Sequence, residues 1–125
     1  MKKIYEDADI YIEWEPSEIP WVKIFTQEPY KELSDCPDRI ANKLWQIALI
    51  TEKAMIDYFE PDKINIASFG NYTPRVHIHV MARFTKDSFF PEPMWGTKQR
   101  ESDLHLPDVG PFEESLRHTI EERIR

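Results

Sequence analysis

The chain has one cysteine, three glycines, no long apolar run and fewer basic than acidic residues, and each shortage removes a class of protein. Cys36 alone cannot close an intrachain disulfide, so a small secreted scaffold held by cross-links is excluded; we read it as a small residue near a helix start. Glycine is scarce and the ten prolines are spread as punctuation, which leaves no low-complexity linker. The longest apolar run, around "IALI" (Ile47 to Ile50), falls far short of the roughly 20 residues that cross a bilayer. Near the N-terminus, Glu6, Asp7 and Asp9 interrupt the stretch where a secretion signal needs its apolar run. With 16 basic against 23 acidic residues, the net charge of −7 disfavours a phosphate backbone or an anionic membrane surface. Nucleic acid and membrane are therefore not expected as partners, and a cytoplasmic protein is.

What is present suffices for one core. At 125 residues and 41% hydrophobic content the chain is too short for two ordinary domains. We read residues 1–125 as a single domain, 1–100 its core and 101–125 a C-terminal extension with a helix. "DIYIEWE" alternates Ile10, Ile12 and Trp14 with Tyr11, Glu13 and Glu15, the period of a half-buried strand. "WVKIFT" follows the Pro16 to Pro20 turn as its antiparallel neighbour. A long helix is expected next, with Pro37 in its first turn and Pro61 as its stop. Ile40, Leu44, Ile47, Ala48, Ala54, Met55 and Tyr58 line one face of it; a second row, Trp45, Leu49, Ile56 and Phe59, is buried either by other segments of the chain or by a second subunit.

Two more strands, "KINIASFG" and "PRVHIHVMARF", are expected to pair as a hairpin through Gly70 and Asn71. An aromatic loop, "FFPEPMWG", and a charged irregular stretch lead to a last helix. Pro111, Glu113 and Glu114 suit its start, Arg123 and Arg125 its end, and Phe112, Leu116, Ile120 and Ile124 its buried stripe. Strands grouped about one long helix without βαβ alternation predict an α+β fold with a mostly antiparallel sheet.

The chemistry concentrates in residues 70–84, "GNYTPRVHIHVMARF". Side chains alternate across a strand, so Val76, Ile78 and Val80 share one face while Arg75, His77, His79, Met81 and Arg83 share the other. A row of imidazoles and guanidiniums opposite an apolar row is suited to an anion. Two histidines on one strand face could instead supply two zinc ligands, but a third is needed and neither His105 nor His118 lies in a ligand pattern, so no metal is expected. Arg83 and Lys86 are read either as anion-facing or as solvated charges. Phe69, Phe89 and Phe90 are read as packing.

The segment "NIASFGNYTPRVHIHVMARF", continued by "FFPEPMWG", resembles the signature of the histidine-triad (HIT) family, in particular a bacterial branch with a Pro and Trp-Gly loop. "IYEDADIYIEWE" extends the likeness more weakly. The resemblance implies a HIT-like fold, commonly dimeric, and a nucleotide hydrolase or transferase. Its action falls at the α-phosphate of nucleoside phosphoramidates or dinucleoside polyphosphates, through a phosphohistidine and without a cofactor. It places the nucleophile on His77, puts His79 beside the phosphate or leaving group, and gives Asn65 the orientation of ribose and phosphate. Glu15 would meet the ribose, Gly70 and Asn71 the phosphates, and Trp95 either the nucleotide or the pocket of a neighbouring subunit; apart from the resemblance, Trp95 reads equally as an aromatic plug over the sheet edge. An adenosine-type nucleotide and a second copy of the chain are the expected partners. Arg75 stands where the first triad histidine belongs. There it either adds phosphate affinity or lowers the basicity of His77. The rival expectation is a nucleotide-binding sensor in which that replacement has cost turnover.

Overall fold

The structure, a computed structural model, describes residues 3–124. Five strands, β1 (Lys3–Glu6), β2 (Ile10–Trp14), β3 (Trp21–Thr26), β4 (Lys63–Ala67) and β5 (His77–Arg83), form one sheet in the order β1-β2-β3-β5-β4, every neighbouring pair antiparallel. Two helices, α1 (Asp38–Phe59) and α2 (Gly110–Arg123), complete an α+β fold. Among the described residues no helix is long and apolar enough to cross a membrane.

The register decides which side chains meet. Ile12 lies opposite Ile24, Ile24 opposite Ile78, and Val80 opposite both Val22 and Ile66. Directly opposed residues share a face, so Ile10, Ile12, Val22, Ile24, Ile78, Val80 and Ala82 make one apolar layer, which α1 and α2 cover. The same counting puts Tyr11, Glu13, Trp21, Lys23, Phe25, His77, His79 and Met81 on the face away from the helices. The residue pattern of β2, β3 and β5 thus separates core from chemistry.

Helix α1 buries Ile40, Leu44, Ile47, Ala48, Ile50 and Met55 in the core, each of the large side chains among them contributing about 1.5–3 kcal/mol of transfer free energy. The hydroxyl of buried Thr51 donates to the Ile47 carbonyl at 2.8 Å, so its burial leaves no unmet donor. Pro37 lies just ahead of the helix rather than in its first turn, and its carbonyl accepts from Ile40 and Ala41. At the far end Glu60, at φ 51°, turns the chain into the left-handed region and donates to Ile56, and Pro61 blocks continuation. The second apolar row divides. Phe59 is in the core, its ring 5.1 Å from that of Phe112 on α2, whereas Trp45, Leu49 and Ile56 are 45%, 59% and 42% exposed. Phe112, Leu116 and Ile120 of α2 are buried in the same core, with Ile124 packed at its margin; Arg125 falls outside the described residues.

Two further features depart from expectation. Strand β1 was not expected; a tight Asp7 turn makes it, the carboxylate accepting from the backbone N–H groups of Asp9 at 2.8 Å and Ile10 at 3.0 Å. Arg83 neither faces an anion nor lies in solvent. It is 2% exposed and forked onto Asp87, with Nε 2.9 Å and Nη2 3.2 Å from its carboxylate. Asp87 also accepts from the N–H groups of Phe84, Phe89 and Phe90, and Arg83 donates to the Glu92 carbonyl. Burial pushes the Asp87 carboxyl up, but these bonds outweigh it and hold it below the usual carboxylate range. This node anchors the irregular segment after β5, the one that carries Trp95; Lys86 stays exposed.

Candidate active site

His77 opens β5, opposite Phe25 of β3, and its imidazole stacks on the Phe25 ring with centroids 4.7 Å apart. Its Nδ1 lies 2.8 Å from the carbonyl oxygen of Arg75, two residues back. A carbonyl only accepts, so Nδ1 holds the proton and Nε2 keeps its lone pair. Burial depresses the basicity of His77; the bond to Arg75 opposes this, and the charges of Lys23 and Arg75 depress it further. The ring is therefore neutral near pH 7, the form able to act as nucleophile.

His79 has the opposite tautomer, set by a residue of the neighbouring strand β3. The indole Nε1–H of Trp21 donates to its Nδ1 at 2.9 Å, so the proton is on Nε2. That Nε2 is buried and has no hydrogen-bond partner among the described residues. Phe69 stacks over the ring at 4.5 Å, and burial, His77 and Lys23 bring its pKa down to about 4 against the raising effect of Glu15. With ring centroids 4.7 Å apart, the pair presents one lone pair and one N–H donor side by side.

Both rings line a cleft of about 500 Å³ whose walls also include Glu15, Trp21, Lys23, Phe69, Asn71 and Trp95. Gly70 borders it where the chain doubles back: a Cβ there would stand 2.7 Å from the Thr73 carbonyl oxygen, too close for any other residue without a shift. Trp95 meets Phe69 edge-on at 5.1 Å and is 58% exposed at the cleft wall. Lys23 is directly opposite His79 in the sheet, and its ammonium lies 2.9 Å from Glu15.

Of the residues singled out from sequence, His77, His79, Glu15, Gly70, Asn71 and Trp95 come together here. Two do not line the cleft. Arg75 precedes the first paired residue of β5, and its guanidinium donates to the carbonyls of Thr26, the last residue of β3, and Gln27, the next, over the rings of Phe25 and Tyr11. Its charge is the smallest of the causes that depress the basicity of His77. Asn65 faces the same side from β4, but its Oδ1 is taken by Arg83 at 2.9 Å. Phe69, read as packing, does pack, and it packs over His79 at the cleft wall. Trp21 and Lys23 were missed; their alternation with Phe25 in "WVKIFT" was the available signal. Among the described residues no group of three His, Cys, Asp or Glu side chains is placed to hold a metal ion. His105 and His118 are exposed and paired with Asp103 and Glu122.

The HIT domain family profile matches residues 2–86. No curated protein matches the chain in sequence. Among solved structures, a histidine triad protein from Bradyrhizobium japonicum is 26% identical, with a TM-score of 0.77 over 95% of this chain and 90% of that one. Histidine triad proteins from Marinobacter aquaeolei VT8 (24% identity, TM-score 0.71, covering 97% and 86%) and Sinorhizobium meliloti 1021 (21%, 0.71, covering 98% and 88%) share the fold.

Proposed function

The chain belongs to the HIT domain family, a family of nucleotide hydrolases and transferases, and from that premise we propose that it cleaves at the α-phosphate of nucleoside phosphoramidates or dinucleoside polyphosphates through a phosphohistidine on His77. The observation that carries the proposal is the 2.8 Å contact between His77 Nδ1 and the Arg75 carbonyl, which leaves Nε2 as the free nucleophile. Nε2 attacks phosphorus as the bond to the leaving group breaks; the leaving group accepts a hydrogen bond from the Nε2–H of His79 and takes its proton from solvent; water then attacks the phosphohistidine, gives up a proton to solvent and releases the nucleoside monophosphate. Glu15 meets the ribose hydroxyls, the backbone of Gly70 and the amide of Asn71 meet the phosphates, and Trp95 meets the base. Asn65 acts at one remove, through Arg83. Replacing the first triad histidine by Arg75 keeps the tautomer this chemistry needs, because the partner of His77 Nδ1 at that position is a backbone carbonyl, which any residue supplies.

The sensor reading has one observation in its favour: Phe69 covers His79, and Nε2 of that ring is buried. Following AMP release from adenosine phosphoramidate and diadenosine polyphosphates separates the two. Turnover by the wild type, with none by His77→Ala and nucleotide binding kept, supports the enzyme; tight binding without turnover on either substrate supports the sensor. We propose further that a second copy of the chain covers the exposed row Trp45, Leu49 and Ile56, since an apolar helix face of this kind needs a surface to bury against.

A further inference from the structure

We propose that Lys23 is a positioning residue that holds Glu15 against the cleft wall and so sets the requirement for a ribose 2′-hydroxyl; this rests on the nucleotide reading above. Three observations converge on it. Lys23 is directly opposite His79 in the β3–β5 ladder, which fixes its Cα at the floor of the cleft. Its side chain is 17% exposed, with the ammonium 5.6 Å from the Phe25 ring centroid, so the stem cannot swing freely. The ammonium is 2.9 Å from Glu15 Oε1 and 3.8 Å from Glu13 Oε1.

Glu15 needs such a hold. It lies one residue beyond the last paired residue of β2, and its side chain is 35% exposed. Its backbone is pinned by the bond from its N–H to the Trp21 carbonyl at 2.8 Å, but the described structure gives its carboxylate no partner other than Lys23. A carboxylate has two oxygens and about four acceptor sites. Held at Oε1 by the ammonium, it keeps Oε2 to accept from a diol, in a fixed place rather than over a range of rotamers. Lys23 has two carboxylates within reach, Glu15 and Glu13, and both come from β2 and the residue just past it, so its ammonium is engaged on the Glu15 side of the cleft.

The test measures binding of AMP and 2′-deoxyAMP, and the KM and kcat for adenosine phosphoramidate and its 2′-deoxy counterpart, in wild type, Lys23→Met, Lys23→Arg, Glu15→Gln and the Lys23→Met/Glu15→Gln double variant. A hydrogen bond to a charged group is worth about tenfold in affinity. Lys23→Met should therefore lose about tenfold in the preference for ribose over deoxyribose, seen in KM more than kcat, while Lys23→Arg keeps most of it. In the Glu15→Gln background Lys23→Met should change that preference no further, the non-additivity of two residues acting as one unit. Equal weakening of both nucleotides by Lys23→Met, or full additivity with Glu15→Gln, overturns the assignment and makes Lys23 a phosphate contact. Absence of AMP binding by the wild type would overturn both the assignment and the nucleotide reading.

Discussion

Replacing Trp21 by phenylalanine removes a single N–H donor from the active site and little else. Phenylalanine retains an aromatic ring for the edge-on contact with His79, whose centroid lies 5.8 Å from that of Trp21, and it suits the strand equally well. What disappears is the 2.9 Å bond that places the His79 proton on Nε2. A neutral hydrogen bond of this kind is worth about 1 kcal/mol, so the bias toward the donor tautomer falls by about fivefold. If the Nε2–H of His79 hydrogen-bonds the leaving group, kcat for adenosine phosphoramidate should drop by about twofold, because the donor tautomer of an otherwise balanced ring falls from about five-sixths to about one-half of the population, with KM nearly unchanged. Steady-state AMP release, alongside a thermal melt showing the fold intact, measures it. A kcat equal to wild type in a folded Trp21→Phe variant would refute the reasoning, because the proton would then be placed by something other than the indole.

Other consequences follow from the same geometry. His77 is held below its ordinary value of 6.5, so it stays neutral somewhat below that pH; activity should persist there and decline as pH falls through the folded value. Lys23→Met removes one of the depressing charges and should move that decline to higher pH in a pH–rate profile. His79, at about 4 when folded and near 6.5 when unfolded, binds its proton more readily in the unfolded chain. Urea unfolding should accordingly show stability fully present above about pH 6.5 and falling between there and about 4, a slope that His79→Asn reduces. Asp87→Asn leaves buried Arg83 without its counter-charge and should cost about 3–5 kcal/mol in urea unfolding. Leu49→Glu puts a charge in the exposed row of α1, and light scattering should show a dimeric wild type become monomeric.

How far the sequence could be read depended on whether a feature was local. The His77 and His79 face, the alternation of β2 and the length of α1 follow from periodicity within one segment, and each is found in the structure. The bond from Trp21 to His79 joins residues far apart in the chain, because β3 lies beside β5 rather than β4; no pattern inside "WVKIFT" states that neighbour. Phe59 moved from the open row into the core for the same reason, since the ring it meets, Phe112, belongs to the last helix. Arg75 was on the expected side of the sheet, but strand pairing begins at His77, and the carbonyls of Thr26 and Gln27 where β3 ends hold the guanidinium. Arg83 looked free because its partner Asp87 is four residues on, past the strand end, where alternation no longer applies.

The central claim is a transient covalent bond between phosphorus and Nε2 of His77. Rapid acid-free quenching of the wild type during turnover of adenosine phosphoramidate, followed by mass spectrometry of the peptide spanning β5, tests it directly. The account predicts an added adenosine monophosphate on His77, absent from His77→Ala. Steady AMP release with no modified peptide at any time, or the adduct on His79 instead, would contradict it.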